Sequence, residues 1–82
     1  MIDMFYTYVL RSKRDGDLYI GWTNDLDNRV KEHNKGSVEA TKYRIPLELV
    51  YYEGCLNQKN TITREKQLKT GFGRAYLRRR LI

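Results

Sequence analysis

The sequence predicts an α+β fold, a three-stranded antiparallel sheet flanked by helices in the order β-β-α-β-α-α. Three observations carry that expectation. Two aromatic and β-branched runs, Phe5–Leu10 and Leu18–Trp22, flank a polar stretch closing on Asp15-Gly16, which is a hairpin signature. A third run, Leu47–Tyr52, follows Pro46. Between and after these runs lie polar segments with apolar residues at helical spacing, opened by Asn or Asp.

Each element has a local reason. In the hairpin, Tyr6 and Tyr8 alternate with Phe5, Thr7 and Val9, and Tyr19 and Gly21 alternate with Leu18, Ile20 and Trp22. Asn24 offers an N-cap, and Asp25 and Asp27 suit the positive end of a helix that runs to Asn34. Lys35-Gly36 stops it. Residues 37–45 are polar and read as a loop or short helix. The Leu47–Tyr52 strand is apolar on both faces, which predicts cover on both. Asn57 or Asn60 caps a second long helix ending near Thr70. Gly71 and Gly73 interrupt it, and Arg74–Leu81 forms a last short basic helix.

A chain of 82 residues has room for one domain, spanning 1–82. With 40% hydrophobic and 32% charged residues it is not a disordered tail. Its single cysteine, Cys55, excludes an internal disulfide framework and a Cys-rich metal site. The start Met1-Ile2-Asp3-Met4-Phe5 lacks a basic leader, and no apolar run approaches membrane-spanning length. These features predict a reduced, cytoplasmic protein with no membrane partner. Sixteen Lys and Arg against ten Asp and Glu give a net charge of +6, which suits a polyanion. The positives gather late, at Arg64, Lys66, Lys69, Arg74, Arg78, Arg79 and Arg80. Lys69, Arg74, Arg78, Arg79 and Arg80 are therefore the candidate nucleic-acid contacts.

Some polar residues fall where apolar ones are expected. Glu65 shares the helical stripe of Thr61 and Leu68, while Thr63, Arg64, Lys66 and Gln67 take the outer positions. An inward carboxylate must be ion-paired, protonated or bound to a metal. On the first helix, Leu26 and Val30 are the apolar anchors, with Arg29 and His33 one turn apart on their flank. Arg29 and His33 either satisfy structural partners or face a phosphate together. Seven tyrosines are a heavy load for this length, although tyrosine also favours sheets for packing reasons alone. One histidine rules out a two-histidine metal site.

The set Thr7-Tyr8-Val9, Leu18-Tyr19-Ile20-Gly21, Thr23 to Arg29, Glu32-His33-Asn34 and Arg64 to Lys69 resembles the GIY-YIG endonuclease superfamily. It is most similar to the small stand-alone YhbQ-type proteins, often described as excinuclease-subunit-C-like. Tyr8 stands eleven residues before Tyr19 and matches the first motif tyrosine; Tyr19 matches the second. Arg29, ten residues after Tyr19, matches the family's catalytic arginine, His33 its frequent histidine, and Glu65 its metal-binding glutamate. The resemblance implies hydrolysis of nucleic-acid phosphodiesters, DNA ahead of RNA, with one Mg²⁺ or Mn²⁺ on Glu65. It further implies that Arg29 neutralises transition-state charge and that Tyr8 or Tyr19 acts as base with His33 assisting. A role in DNA repair or processing and a targeting protein partner are compatible with it.

The chain departs from the family pattern in places. The first triplet is Tyr6-Thr7-Tyr8, Trp22 replaces a lysine some members carry, and Thr61 replaces the usual alanine. An asparagine that some nucleases use near the metal has no counterpart. The alternative reading is a non-catalytic, basic nucleic-acid-binding module of the same fold. It explains the charge without giving Glu65 a purpose.

Overall fold

The computed structural model describes residues 3–81; Met1 and Ile2, part of the start read above for a leader, and Ile82 lie outside the described residues. Strands β1 (Phe5–Ser12) and β2 (Leu18–Thr23) form the hairpin, followed by α1 (Leu26–Asn34), β3 (Leu47–Cys55), α2 (Gln58–Leu68) and α3 (Gly71–Arg80). The α+β order is the one the sequence predicts. The sheet runs β2-β1-β3, antiparallel throughout, so β1 is the central strand. Gly16 takes a positive φ of 77° in the hairpin turn, a conformation that a side chain would strain.

Alternation along β1 divides the molecule into two cores. Tyr8 and Leu10 meet Leu47, with Leu26 and Val30 of α1 packed on them. Val9 faces the other way, against Leu68 of α2 and Leu77 of α3. Both leucines are fully buried, so truncating either to alanine would cost about 2–5 kcal/mol. The sheet is thus a middle layer, with α1 on one face and the α2–α3 pair on the other.

Several boundaries differ from expectation, each for a physical reason. Asp25, not Asn24, caps α1: its side chain accepts from the Asn28 N–H at 3.3 Å, and the Thr23 hydroxyl accepts the Asp25 N–H. The glycines near residue 71 do not interrupt a helix but open one. Thr70 caps α3, accepting the Gly73 N–H at 3.2 Å, and α3 begins three residues earlier than its charge pattern suggests. Strand β3 is an edge strand, and Tyr52 on it is 56% exposed, so it is not covered on both faces. Its run of apolar residues has another cause. The pairing shifts between Val9–Tyr51 and Leu10–Leu49, so Val50 is an extra residue. That bulge brings Val50 and Tyr51 both to the α3 side, reversing the alternation midway along the strand.

Candidate active site

Tyr8 on β1 lies opposite Gly21 on β2, and its ring crosses above that glycine toward α1. A Cβ at position 21 would stand 2.6 Å from the Tyr8 hydroxyl, so the tyrosine keeps its place only over a residue without a side chain. Across the gap, α1 presents Arg29 and His33 one turn apart. The Tyr8 hydroxyl lies 2.8 Å from His33 Nε2, and Arg29 Nε donates to the same hydroxyl at 3.4 Å. His33 Nδ1 is 2.7 Å from the Thr41 hydroxyl. With the Arg29 proton on the Tyr8 oxygen, Tyr8 donates to Nε2, and the neutral ring must then donate from Nδ1 to Thr41. Four side chains from three segments form one directed row.

Burial sets their charge states. His33 and Thr41 are fully buried, and Tyr8 is nearly so. Desolvation, helped by the Arg29 charge and opposed by Glu32, lowers His33 to about 4, so the ring is neutral near pH 7. Burial pushes the Tyr8 phenol above its usual value; the Arg29 hydrogen bond pulls against this, and the Tyr19 and Glu65 charges add to it. Arg29 stays charged, held by Tyr8 and by an ion pair with Glu32 at 3.4 Å, while its side chain is 34% exposed. It is the member of the row that a phosphate could reach.

Tyr19 completes the near side. Its ring centre is 5.0 Å from that of His33 and 6.3 Å from that of Tyr8, so the two motif tyrosines and the imidazole form one three-ring cluster. Tyr19 also forms part of the wall of a groove of about 810 Å³ that Lys69, Arg74 and Arg78 share. Glu65 is largely buried on α2, and Lys69 Nζ sits 3.2 Å from its Oε1.

The structure thus brings Tyr8, Tyr19, Arg29 and His33 together and sets Glu65 near enough to act on Tyr8 electrostatically. It divides the basic residues. Lys69, Arg74 and Arg78 lie on the groove; the Arg80 guanidinium stacks 3.6 Å over the Tyr76 ring, away from that wall, and Arg79 is simply exposed. Arg64, expected on the outer face, instead grips Glu53 through Nε and Nη2, at 3.0 and 2.9 Å. Thr41 was not legible as a site residue, because nothing periodic marks it within residues 37–45. Two backbone turns, Thr41 N–H to Val38 and Arg44 N–H to Thr41, hold it in place. Asn34 then clamps the far end, accepting from Leu47 N–H at 2.7 Å and donating to its carbonyl at 2.9 Å.

The sequence profile of the GIY-YIG catalytic domain matches residues 4–78. The chain belongs to the GIY-YIG family. Its relatives within the family include a UPF0213 protein of Pediococcus pentosaceus, 46% identical over 70 residues, covering 84% of this chain and 73% of that protein. A UPF0213 protein of Clostridium perfringens is 43% identical over 67 residues, covering 80% and 71%. The solution structure of a UPF0213 protein from Bacillus halodurans is similar with a TM-score of 0.56 at 30% identity, over 90% of this chain and 81% of that one. This GIY-YIG chain therefore has small stand-alone relatives, one of them solved with the same architecture. No helix among its described residues is long and apolar enough to cross a membrane.

Proposed function

We propose that this GIY-YIG domain is a metal-dependent endonuclease acting on nucleic-acid phosphodiesters, DNA ahead of RNA. The observation that carries the reading is the Arg29–Tyr8–His33–Thr41 row, which fixes one part-exposed guanidinium, while Tyr19, packed on the same histidine, lines a basic groove. With Nε on Tyr8 and Nη1 on Glu32, the Arg29 fork keeps Nη2 for a phosphate. Charge stabilisation of that kind is worth about 2.7–4 kcal/mol in the transition state. Tyr8, buried and bonded on both sides, serves to aim Arg29, whereas Tyr19, on the groove wall, is the phenol placed to meet a substrate-side water. An ordinary phenol holds its proton to about pH 10, so either tyrosine needs nearby positive charge to act as base.

The residues fit a divalent metal of the oxygen-loving kind. Among the described residues no cluster of three His, Cys, Asp or Glu forms a chelating cage, so a metal here would keep most of its water. The largely buried Glu65 carboxylate would hold Mg²⁺ or Mn²⁺ in exchange for the Lys69 ammonium that now lies 3.2 Å from its Oε1. When bound, the metal supplies Lewis-acid stabilisation of the phosphate and the leaving oxygen.

The same ion pair favours the alternative reading. Lys69 gives Glu65 a partner without any metal, which removes the main objection to a non-catalytic nucleic-acid-binding module. A nicking assay on single-stranded, duplex and branched DNA with Mg²⁺ and Mn²⁺ separates the two. The nuclease reading expects cleavage by the parent and none by Glu65→Gln, with nucleic-acid binding retained. Equal inactivity of both proteins on every substrate, with binding intact, would establish the binding module instead.

A further inference from the structure

The groove beside Tyr19 is larger than one scissile phosphate needs, and its wall draws on four parts of the chain. Arg11 comes from the end of β1, Arg44 from the loop before β3, Lys69 from the end of α2, and Arg74 and Arg78 from successive turns of α3. Residues this far apart in sequence meet here only through the fold, and Arg11 and Arg44 belong to no motif. Asp17 is the one carboxylate on the wall. Between the cations the lining is apolar, with Leu18, Ile20 and Leu81.

Arg44 adds a second observation. Its Nε is bound to Asp15 Oδ2 at 3.0 Å, yet its Nη2 is buried and has no hydrogen-bond partner among the described residues. A nitrogen left so costs stability, and the pairing with Asp15 fixes the guanidinium where Arg44 lines the groove.

We infer that this groove is a strand-binding subsite for an unpaired stretch of nucleic acid running away from the scissile phosphate, an inference that rests on the proposed nuclease function. Cations spaced along a groove track a phosphate backbone, and an apolar floor receives base faces. A duplex hides its base faces in the stack, leaving Leu18, Ile20 and Leu81 without use. Tyr19 and Lys69 join the subsite to the site, because Tyr19 stands against His33 and Lys69 against Glu65. The strand therefore reaches Arg29 from the groove side.

Fluorescence anisotropy with a labelled oligothymidine and a duplex of equal length, in EDTA over a salt series, tests this. Arg74 and Arg78 are exposed and make no ion pair or side-chain hydrogen bond among the described residues, so Arg74→Ala/Arg78→Ala should fold normally. For the single strand its log–log salt slope should fall by about 1.4, about 0.7 per lost phosphate contact. Lys35→Ala/Lys59→Ala, which removes equal charge outside the groove, should keep the parental slope. An unchanged slope in the groove variant, or tighter binding of the duplex than of the single strand, would overturn the assignment. Because binding is read without metal, the two readings fail separately. Slope loss with no cleavage by the parent in Mg²⁺ or Mn²⁺ keeps the subsite and sinks the nuclease; normal cleavage with an unchanged slope does the reverse.

Discussion

Protonating His33 places a charge between Tyr8 and Thr41 with no water to solvate it, so acid should act on this fold through its one histidine. In the unfolded chain the ring takes a proton below its ordinary 6.5, whereas in the fold it does so only below about 4. Between those values the unfolded state binds more protons, so falling pH favours unfolding. The stabilisation is complete above pH 6.5 and is lost progressively as pH falls to about 4. A separation of about 2.5 pH units corresponds to about 3 kcal/mol, at 1.36 kcal/mol per unit. Since small domains hold only about 5–15 kcal/mol, that is a large share. The assay is direct, because the chain has one histidine and its imidazole C–H resonances titrate without a second imidazole. Their titration midpoint should lie near 4 in the folded protein, and urea unfolding should weaken between neutral pH and about pH 4.5 more than in His33→Gln. A midpoint near 6.5, or equal acid sensitivity in both proteins, would refute the reasoning.

Arg29→Ala should reduce cleavage by about 10²–10³ with little change in thermal midpoint, and Arg29→Lys should restore little, since a point charge cannot replace a fork. Stopped-time nicking assays beside thermal melts of the same proteins check both halves. Gly21→Ala should abolish cleavage and cost roughly 1–3 kcal/mol, because the buried Tyr8 ring has no room to retreat from the added Cβ; a folded variant with parental His33 resonances would contradict this. Gly73→Ala should destabilise by at least as much, since its Cβ would overlap the Leu68 Cα and the Gln67 carbonyl, both backbone. Urea denaturation measures the cost, and a loss below about 0.5 kcal/mol would show that the α2–α3 corner can relax.

Much of the fold could be read from the chain because local signals agreed with one another. The hairpin runs, the Asp-Gly turn and the cap at Asn57, one of the two asparagines on offer, are decided within a few residues. The site was legible in part for a related reason: Arg29, His33 and Glu65 were polar residues at positions where burial demands a partner. What stayed hidden depends on contacts between distant segments. No feature near Val50 announces a bulge, which exists only relative to β1. Thr41 looks like any loop threonine until His33 arrives from eight residues upstream. The Arg78–Arg80 run reads as one charge patch, yet helical rotation sends Arg78 to the groove and Arg80 onto Tyr76.

Neighbouring residues of β1 take hold of opposite layers. Tyr8 bonds to α1 through His33 and Arg29, while the Thr7 hydroxyl donates to the Thr61 carbonyl of α2 at 3.1 Å. The separation between the arginine and the glutamate is therefore gauged by a single peptide unit of the middle strand. A chain still lacking α2 can complete the hairpin and seat α1, but it has no carboxylate at position 65 to offer. Under the proposed nuclease function, a chain in mid-synthesis would stay harmless to nearby nucleic acid until α2 had folded, a safeguard written into the order of its elements.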